Sequence, residues 1–401
     1  MGLPRAGCRR LRRLRRMPTE NPALAAAGPN PLARLREEVA VRRAAGADLI
    51  DLSIGDPDEP TPDAVRAALR DAVGPVSSYP TARGGDAVRA AIAGFMARRH
   101  GVAVDPATQV LPTSGSKEAI FHLPLAFVDP AGSRRAVVFG TPGYPTYARG
   151  TRLAGGEPVA VRLREEDGWR LDLGALDPDL LARTCVAWIN HPHNPTGATV
   201  DVGYLRDQLA VARAHDVILC SDECYQELWA GAPAPSLLEA TDGDTAGALA
   251  FLSLSKRSGM TGYRSGAIVG DAALVAVLRR LREDTGTASP DFVQAAAVAA
   301  WSDDAHVAER RAAFDAKRTA VLEGLAAAGV TWSGSAAGLY VWVRVPDGDD
   351  LALARRLLDA GVVVTPGRAF GPGGEGWVRL ALVPDVARCR EALRRWIAAT
   401  G

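Results

Sequence analysis

"ALAFLSLSKRSGMTGYRSG", residues 248–266, runs from an apolar, strand-like segment into a loop rich in serine and glycine, with a lysine at the join. The chain carries 47 basic residues in 401, yet only Lys117, Lys256 and Lys317 are lysines. A lysine kept at a strand end by a chain that otherwise uses arginine asks for a chemical reason. An amine attacks a carbonyl once its pKa is depressed, whereas arginine stays protonated at every accessible pH. Eight residues on, Arg264 offers a planar fork suited to two oxygens of a phosphate. Ser253 and Ser255 add hydroxyls, and Gly259 and Gly262 let the backbone turn so that Lys256 and Arg264 can face one ligand. A molecule with both an aldehyde and a phosphate, pyridoxal 5′-phosphate, would use all of these groups. Taken alone, the stretch reads equally well as a solvent loop with scattered hydroxyls.

Working outward, short apolar runs alternate with helical patterns from about residue 62 to 285. They include QVLPT (109–113), RAVVFG (135–140), CVAWIN (185–190), DVILCSD (216–222) and SGAIVGD (265–271). This alternation predicts an α/β fold, a mostly parallel sheet covered by helices on both faces. Ligands gather at the carboxyl ends of the strands in such sheets, and the distinctive motifs fall there. Ahead of this region lie an amphipathic helix, a short strand ending near Ile54 and a turn with Gly and Pro. Behind it come a long charged helix, "DDAHVAERRAAFDAKRTAVLEGLAAAG", and the apolar runs GLYVWVRVP, GVVVTPG and GWVRLALV. The pattern divides the chain into a basic extension without fixed structure (1–17), the N-terminal part of a small domain (18–60), a large domain (61–285) and the rest of the small α/β domain (286–401). Lys317, on the charged helix, is expected to be solvated, and the Lys117 side chain, at a helix start, to point away from the cofactor ring.

The first sixteen residues hold seven arginines and no acid while the whole chain is at +1, so the remainder is net negative. That argues against a nucleic-acid-binding body. No apolar run is long enough to suggest a membrane span. Five cysteines without a CxxC pair fit a reducing cytoplasm and offer no zinc site. The opening segment reads as a transit-like segment, a basic tail, or an early start with Met17 as the true one.

Other strand ends add chemistry. "SDECY" puts Asp222 at the end of an apolar strand, where a buried carboxylate needs a cation such as a protonated pyridine nitrogen. A plain strand-end cap is the alternative. Tyr225 and Asn194, the latter in "NHPHNPTG", can both hydrogen-bond a ring oxygen. In "TSGSKEAI" the backbone N–H groups of Gly115 through Lys117 and the Ser116 hydroxyl make an anion site at a helix start, unless Ser116 is a simple cap. Tyr144 in "TPGYPTY" can stack on a ring or pack in the core. Arg379 is a charge inside an apolar strand pattern, satisfied either by a substrate carboxylate or by a structural salt bridge.

The set NPTG, SDECY, SxSKxxxxxxxR and VRLAL resembles the class I/II aminotransferases of pyridoxal-phosphate fold type I, in order, over roughly residues 30–395. The resemblance implies a large domain with a mostly parallel seven-stranded sheet between helices, plus a smaller α/β domain. It implies that Lys256 is the lysine that binds the cofactor aldehyde and shuttles the proton. It makes Asp222 the ring-nitrogen partner, Tyr225 and Asn194 the ring-oxygen ligands, and Tyr144 the stacking ring. Ser116, Lys117 (by its backbone), Ser253 and Arg264 become the phosphate cup, with Ser255 a further cofactor contact, and Tyr79 the tyrosine lent across a homodimer to the neighbouring subunit's phosphate. Gly55, Asn194 and Arg379 become contacts to the substrate carboxylate, with no metal involved. The implied reaction is transfer of an amino group between an amino acid and a 2-oxo acid in the cytoplasm.

Within that family the motifs look most like the branch acting on N-succinyl-L,L-diaminopimelate with 2-oxoglutarate, in lysine biosynthesis. Alternatives are aspartate, alanine or LL-diaminopimelate aminotransferases, or a lyase on the same scaffold. A transcription-regulator effector domain is disfavoured, because about thirty residues precede the first helix and a DNA-binding module needs roughly twice that. A nucleotide-binding Rossmann protein is disfavoured because no GxGxxG follows a first strand.

Overall fold

The computed structural model of the protein describes residues 20–26 and 33–400; the basic extension expected over 1–17 lies outside them. Helix Ala33–Ala44 leads to β1 (Ile50–Asp51). Seven strands then form one sheet: β2 (Val110–Thr113), β3 (Ala136–Thr141), β4 (Glu157–Arg162), β5 (Thr184–Asn190), β6 (Ile218–Asp222), β7 (Ala248–Ser253) and β8 (Gly266–Gly270). The order across it is β2-β8-β7-β6-β5-β3-β4. β8 runs antiparallel to both neighbours and the other pairs are parallel.

Why these segments are strands is visible in their side chains. The central strands β6 and β7 are buried along nearly their whole length, so they read as continuous apolar runs rather than alternating ones. The two edge strands each carry a proline, Pro112 in β2 and Pro158 in β4, which a central strand could not accept without losing a ladder hydrogen bond. β4 has no counterpart among the apolar runs of the sequence. Its burial alternates only weakly, and charges at Glu157 and Arg162 hide it.

The chain passes from β3 outward to β4 and then returns to β5 on the other side of β3. The carboxyl ends of β3 and β5 therefore flank a topological switch point, the place where an open sheet leaves a crevice for a ligand. Register pairs Asn190 with Asp222 and Asp222 with Phe251, so the ends of β5, β6 and β7 lie side by side.

Four further strands, β9 (Trp332–Ser333), β10 (Tyr340–Arg344), β12 (Thr365–Pro366) and β13 (Trp377–Ala381), form a second sheet in the order β12-β13-β10-β9. β11 (Val362–Val363) instead pairs in parallel with β1, and Ala381 donates its backbone N–H to the Leu52 carbonyl at 2.7 Å. These contacts tie residues 50–52 to the C-terminal part of the chain, around a core that includes Leu52, Phe314, Leu339 and Trp396. Helix Asp291–Ser302 turns the other way. Its Ala296, Ala297, Ala300 and Trp301 join the core under the large sheet, with the Trp301 ring 4.9 Å from that of Phe95. The large layer thus extends past residue 285, into the segment that the sequence pattern assigned to the small domain.

Lys317 departs from expectation. It is buried rather than solvated, and its amine donates to the Glu59 carboxylate and, at 2.7 Å, to the Val383 carbonyl. Its partner arrives from 258 residues away, so helix periodicity around Lys317 carries no sign of it. No helix among the described residues is long and apolar enough to cross a membrane.

Candidate active site

A cavity of about 490 Å³ opens where the carboxyl ends of the large sheet face the small sheet. Lys256, Asp222, Asn194, Tyr225, Tyr144, Ser116, Lys117, Ser253, Ser255, Arg264, Gly55 and Arg379 all line it. Tyr79 does not. Its side chain stands fully exposed on this chain.

Lys256 sits in a single-turn helix, Leu254–Arg257, that starts where β7 ends. The Ser253 hydroxyl caps that turn, accepting from the Ser255 N–H at 3.1 Å. The turn is held from behind by two arginines. Arg257 is buried over the rings of Phe95 and Trp301 and pairs with Asp304, while Arg310 donates from its Nε to the Lys256 carbonyl at 2.8 Å. The amine of Lys256 projects into the cavity and donates to the carbonyl of Gly55. Burial pushes its pKa down to about 8, with Asp56 and Cys224 opposing and Arg310 and Arg379 assisting.

Asp222 is buried at the end of β6. One carboxylate oxygen accepts from the Tyr147 hydroxyl at 2.7 Å, and no basic side chain among the described residues pairs with it. Burial raises its pKa, while hydrogen bonds from Cys224 and Tyr147 pull the other way. Tyr144 also lines the cavity, its ring edge-on to Tyr147 at 5.7 Å.

Helix Ser116–Phe127 begins at the end of the cavity that Ser116, Lys117 and Arg264 line. Gly115 has φ +80°, and a side chain there would collide with the guanidinium of Arg264. Glycine is thus favoured by its backbone conformation, whereas the flexible end of the arginine can shift to make room for a side chain. Arg264 itself adopts a positive φ of 54° and donates to the Thr261 carbonyl at 2.9 Å. Cys224 hydrogen-bonds through its Sγ to the Ser116 hydroxyl at 2.9 Å, while Lys117 is exposed at the rim.

Arg379 comes from β13 and is only 5% exposed. It donates to Asn194 Oδ1 at 2.9 Å and to the Ser53 carbonyl at 2.6 Å, and its guanidinium carbon lies 4.1 Å from the Tyr340 ring centre and 4.6 Å from that of Phe370. No carboxylate among the described residues pairs with it, so the structural salt bridge weighed from sequence is not what fills this place. Burial lowers its pKa, partly opposed by Tyr340 and Tyr225.

Sequence reasoning did not find Tyr340, whose hydroxyl lies 3.0 Å from that of Tyr225. β10 places Trp342 opposite Arg379, so Tyr340, two residues earlier, falls on the same face. Register was the missing signal. Tyr147, Asp56, Arg36 and Arg149 were also missed, although Tyr147 is the last letter of "TPGYPTY" and Asp56 directly follows the Gly55 already singled out.

The donor set fits pyridoxal 5′-phosphate. The cavity offers an amine of depressed pKa, a buried carboxylate without a cation, and a helix start at Ser116 with serine hydroxyls and the Arg264 guanidinium beside it.

Comparisons with known proteins agree. A family model described as "Aminotransferase class I and II" matches residues 47–395. The LL-diaminopimelate aminotransferase of Nitratidesulfovibrio vulgaris (strain Hildenborough) is 39% identical over 369 residues, which cover 90% of this chain and 93% of that protein. An aminotransferase from Neisseria meningitidis Z2491 superposes with a TM-score of 0.88 at 33% identity, covering 94% of this chain and 99% of that one. A probable N-succinyldiaminopimelate aminotransferase from Thermus thermophilus gives 0.85 at 31% identity, covering 91% and 99%.

Proposed function

This chain belongs to the class I and II aminotransferases and is a pyridoxal 5′-phosphate-dependent transaminase; from that premise we propose that its amino donor is LL-diaminopimelate and its acceptor 2-oxoglutarate. The sequence motifs put the N-succinylated compound first, but the more similar curated relatives carry the name of the unacylated one. The Thermus neighbour keeps the succinylated donor as the second reading.

One observation carries the assignment of roles. A single cavity holds a buried carboxylate without a cation, a buried guanidinium without a carboxylate, and a half-buried amine. Each lacks a partner that cofactor or substrate would supply. Asp222 would hold the ring nitrogen, Tyr225 and Asn194 the ring oxygen, and Tyr144 one face of the ring. Ser116, Ser253, Ser255, Arg264 and the backbone at Lys117 would hold the phosphate. Bound there, the cofactor supplies an aldehyde that condenses with amines and a ring that takes up the electrons of a broken Cα–H bond. Arg379 would grip the substrate α-carboxylate at two points, with Asn194 and the backbone at Gly55 beside it. With the carboxylate fixed, Lys256 Nζ, once free of the cofactor, takes the proton from the substrate Cα as a general base.

Charge supports a diacid substrate. Six basic side chains line the cavity (Arg36, Lys117, Arg149, Lys256, Arg264 and Arg379) against two acids, Asp56 and Asp222. A phosphate and one carboxylate leave cationic groups over. Arg36 and Arg149, which pair with no acid among the described residues, suit the second carboxylate of a dicarboxylic substrate. A homodimer belongs to the same reading: Val73, Val76 and Tyr79 are 58%, 83% and 100% exposed on one short stretch, as a segment covered by a second copy would be.

The test is a donor panel with 2-oxoglutarate: LL-diaminopimelate, N-succinyl-L,L-diaminopimelate, aspartate and alanine. Highest kcat/KM with LL-diaminopimelate supports the proposal. Preference for the succinylated donor selects the second reading, and preference for alanine removes the diacid argument.

A further inference from the structure

The pair formed by Asp222 and Tyr147 reaches beyond those roles. Tyr147 is only 2% exposed and lies on helix Thr146–Leu153, directly after β3 and the Tyr144 turn. Its ring stacks on Trp188 with centroids 5.0 Å apart and planes 21° from parallel, and Trp188 in turn packs 4.8 Å from Phe251. Trp188, from β5, and Phe251, from β7, belong to the strands on either side of β6, which ends at Asp222. The phenol is therefore locked by the sheet itself, and its hydroxyl donates to Asp222 Oδ2 at 2.7 Å.

We propose that Tyr147 is a positioning residue for the cofactor ring: its hydroxyl fixes the Asp222 carboxylate and favours the ionised form that a protonated ring nitrogen requires. This rests on the reading of Asp222 as the ring-nitrogen partner. A hydroxyl donor stabilises the charged carboxylate over the neutral acid. The need is real, because burial raises the Asp222 pKa. Tyr147 shares this opposition with Cys224, while the remaining groups around Asp222 leave its carboxylate alone. Cys224 acts on the carboxylate through its side chain and through its backbone N–H, the latter at a long 3.4 Å. Tyr144 and Tyr225 are neutral phenols held well above their ordinary range by burial. Asn190 donates to the Asp222 main-chain carbonyl rather than to the carboxylate. Lys256, the cation in the same cavity, donates to Gly55 instead.

The experiment measures dissociation constants for pyridoxal 5′-phosphate across pH, on the full chain, for the wild type, Tyr147→Phe and Asp222→Asn. A hydrogen bond to a charged group predicts that Tyr147→Phe weakens the cofactor about tenfold near neutral pH. It also predicts that the acid limb of the affinity profile moves to higher pH, because Asp222 then protonates more readily. A merely structural role would lower the melting temperature and leave the pH limb where it is, and that result overturns the proposal. Fluorotyrosine incorporated at position 147 keeps the shape and strengthens the donor, so the acid limb should move to lower pH. No movement with fluorotyrosine overturns the proposal even where Tyr147→Phe folds poorly. Asp222→Asn separates the two levels. If it leaves affinity and pH profile unchanged, the reading of Asp222 fails; if it abolishes binding while both Tyr147 variants behave as wild type, only the role of Tyr147 fails.

Discussion

Two buried cationic regions lie on either side of the segment 55–59, and they end differently. Around Glu59, Lys317 and Arg310 both find the same carboxylate, and Lys317 adds the Val383 carbonyl. Around the cavity, Lys256 finds only the Gly55 carbonyl, and Arg379 finds a carbonyl and an amide oxygen. Both regions take positive charge out of water, which is costly unless a carboxylate compensates. The Glu59 cluster is closed by the chain itself and reads as structure. In the cavity neither cation forms an ion pair with an acid among the described residues, and burial, only partly opposed by Asp56, drives the Lys256 amine down to about 8. Reactivity here is what remains when the fold withholds the carboxylate.

The contrast can be broken by exchanging the fates of the two lysines. Lys256→Ala should cost up to about 10⁴-fold in transamination rate, since the group that moves the proton is gone. Steady-state rates check it, and a variant that keeps full activity removes Lys256 from the chemistry. Arg379→Ala should lower kcat/KM by about 10²- to 10³-fold for every amino-acid donor, as truncation of a buried charged contact does. Equal loss across donors is the signature of α-carboxylate binding.

The pH dependence sharpens the same point. In the cofactor-free protein the folded Lys256 releases its proton near 8, the unfolded chain near 10.5. Between those values the unfolded state binds more protons, so stability rises with pH. The full shift corresponds to about 3 kcal/mol, and chemical unfolding of Lys256→Met should lack that slope. Lys317→Ala should destabilise the fold by about 2 kcal/mol, less than a fully buried pair because Glu59 keeps some solvent and Arg310, while changing kcat little. The smallest effect is expected at the cavity rim. Arg149→Ala or Arg36→Ala should reduce kcat/KM for diacid donors about fivefold relative to alanine, as for half-exposed charge pairs.

Much of this was legible in the residues because it is local. A lysine, an aspartate and an asparagine at strand ends announce themselves through the apolar runs before them. All but one of the expected site residues meet in one cavity. Tyr79 is the exception, and a single chain leaves it in solvent. What stayed hidden depends on register or on distant partners. Tyr340 needs the pairing of β10 with β13, and the burial of Lys317 needs Glu59 to fold back across the chain. The edge strand β4 was concealed by its own proline and charges.

With only three lysines in the chain, the central claim has a direct test. The cofactor-loaded protein is reduced with borohydride, digested, and the pyridoxyl label located by mass spectrometry. The account predicts the label on Lys256. A label on Lys117 or Lys317, with Lys256 unmodified, would contradict it.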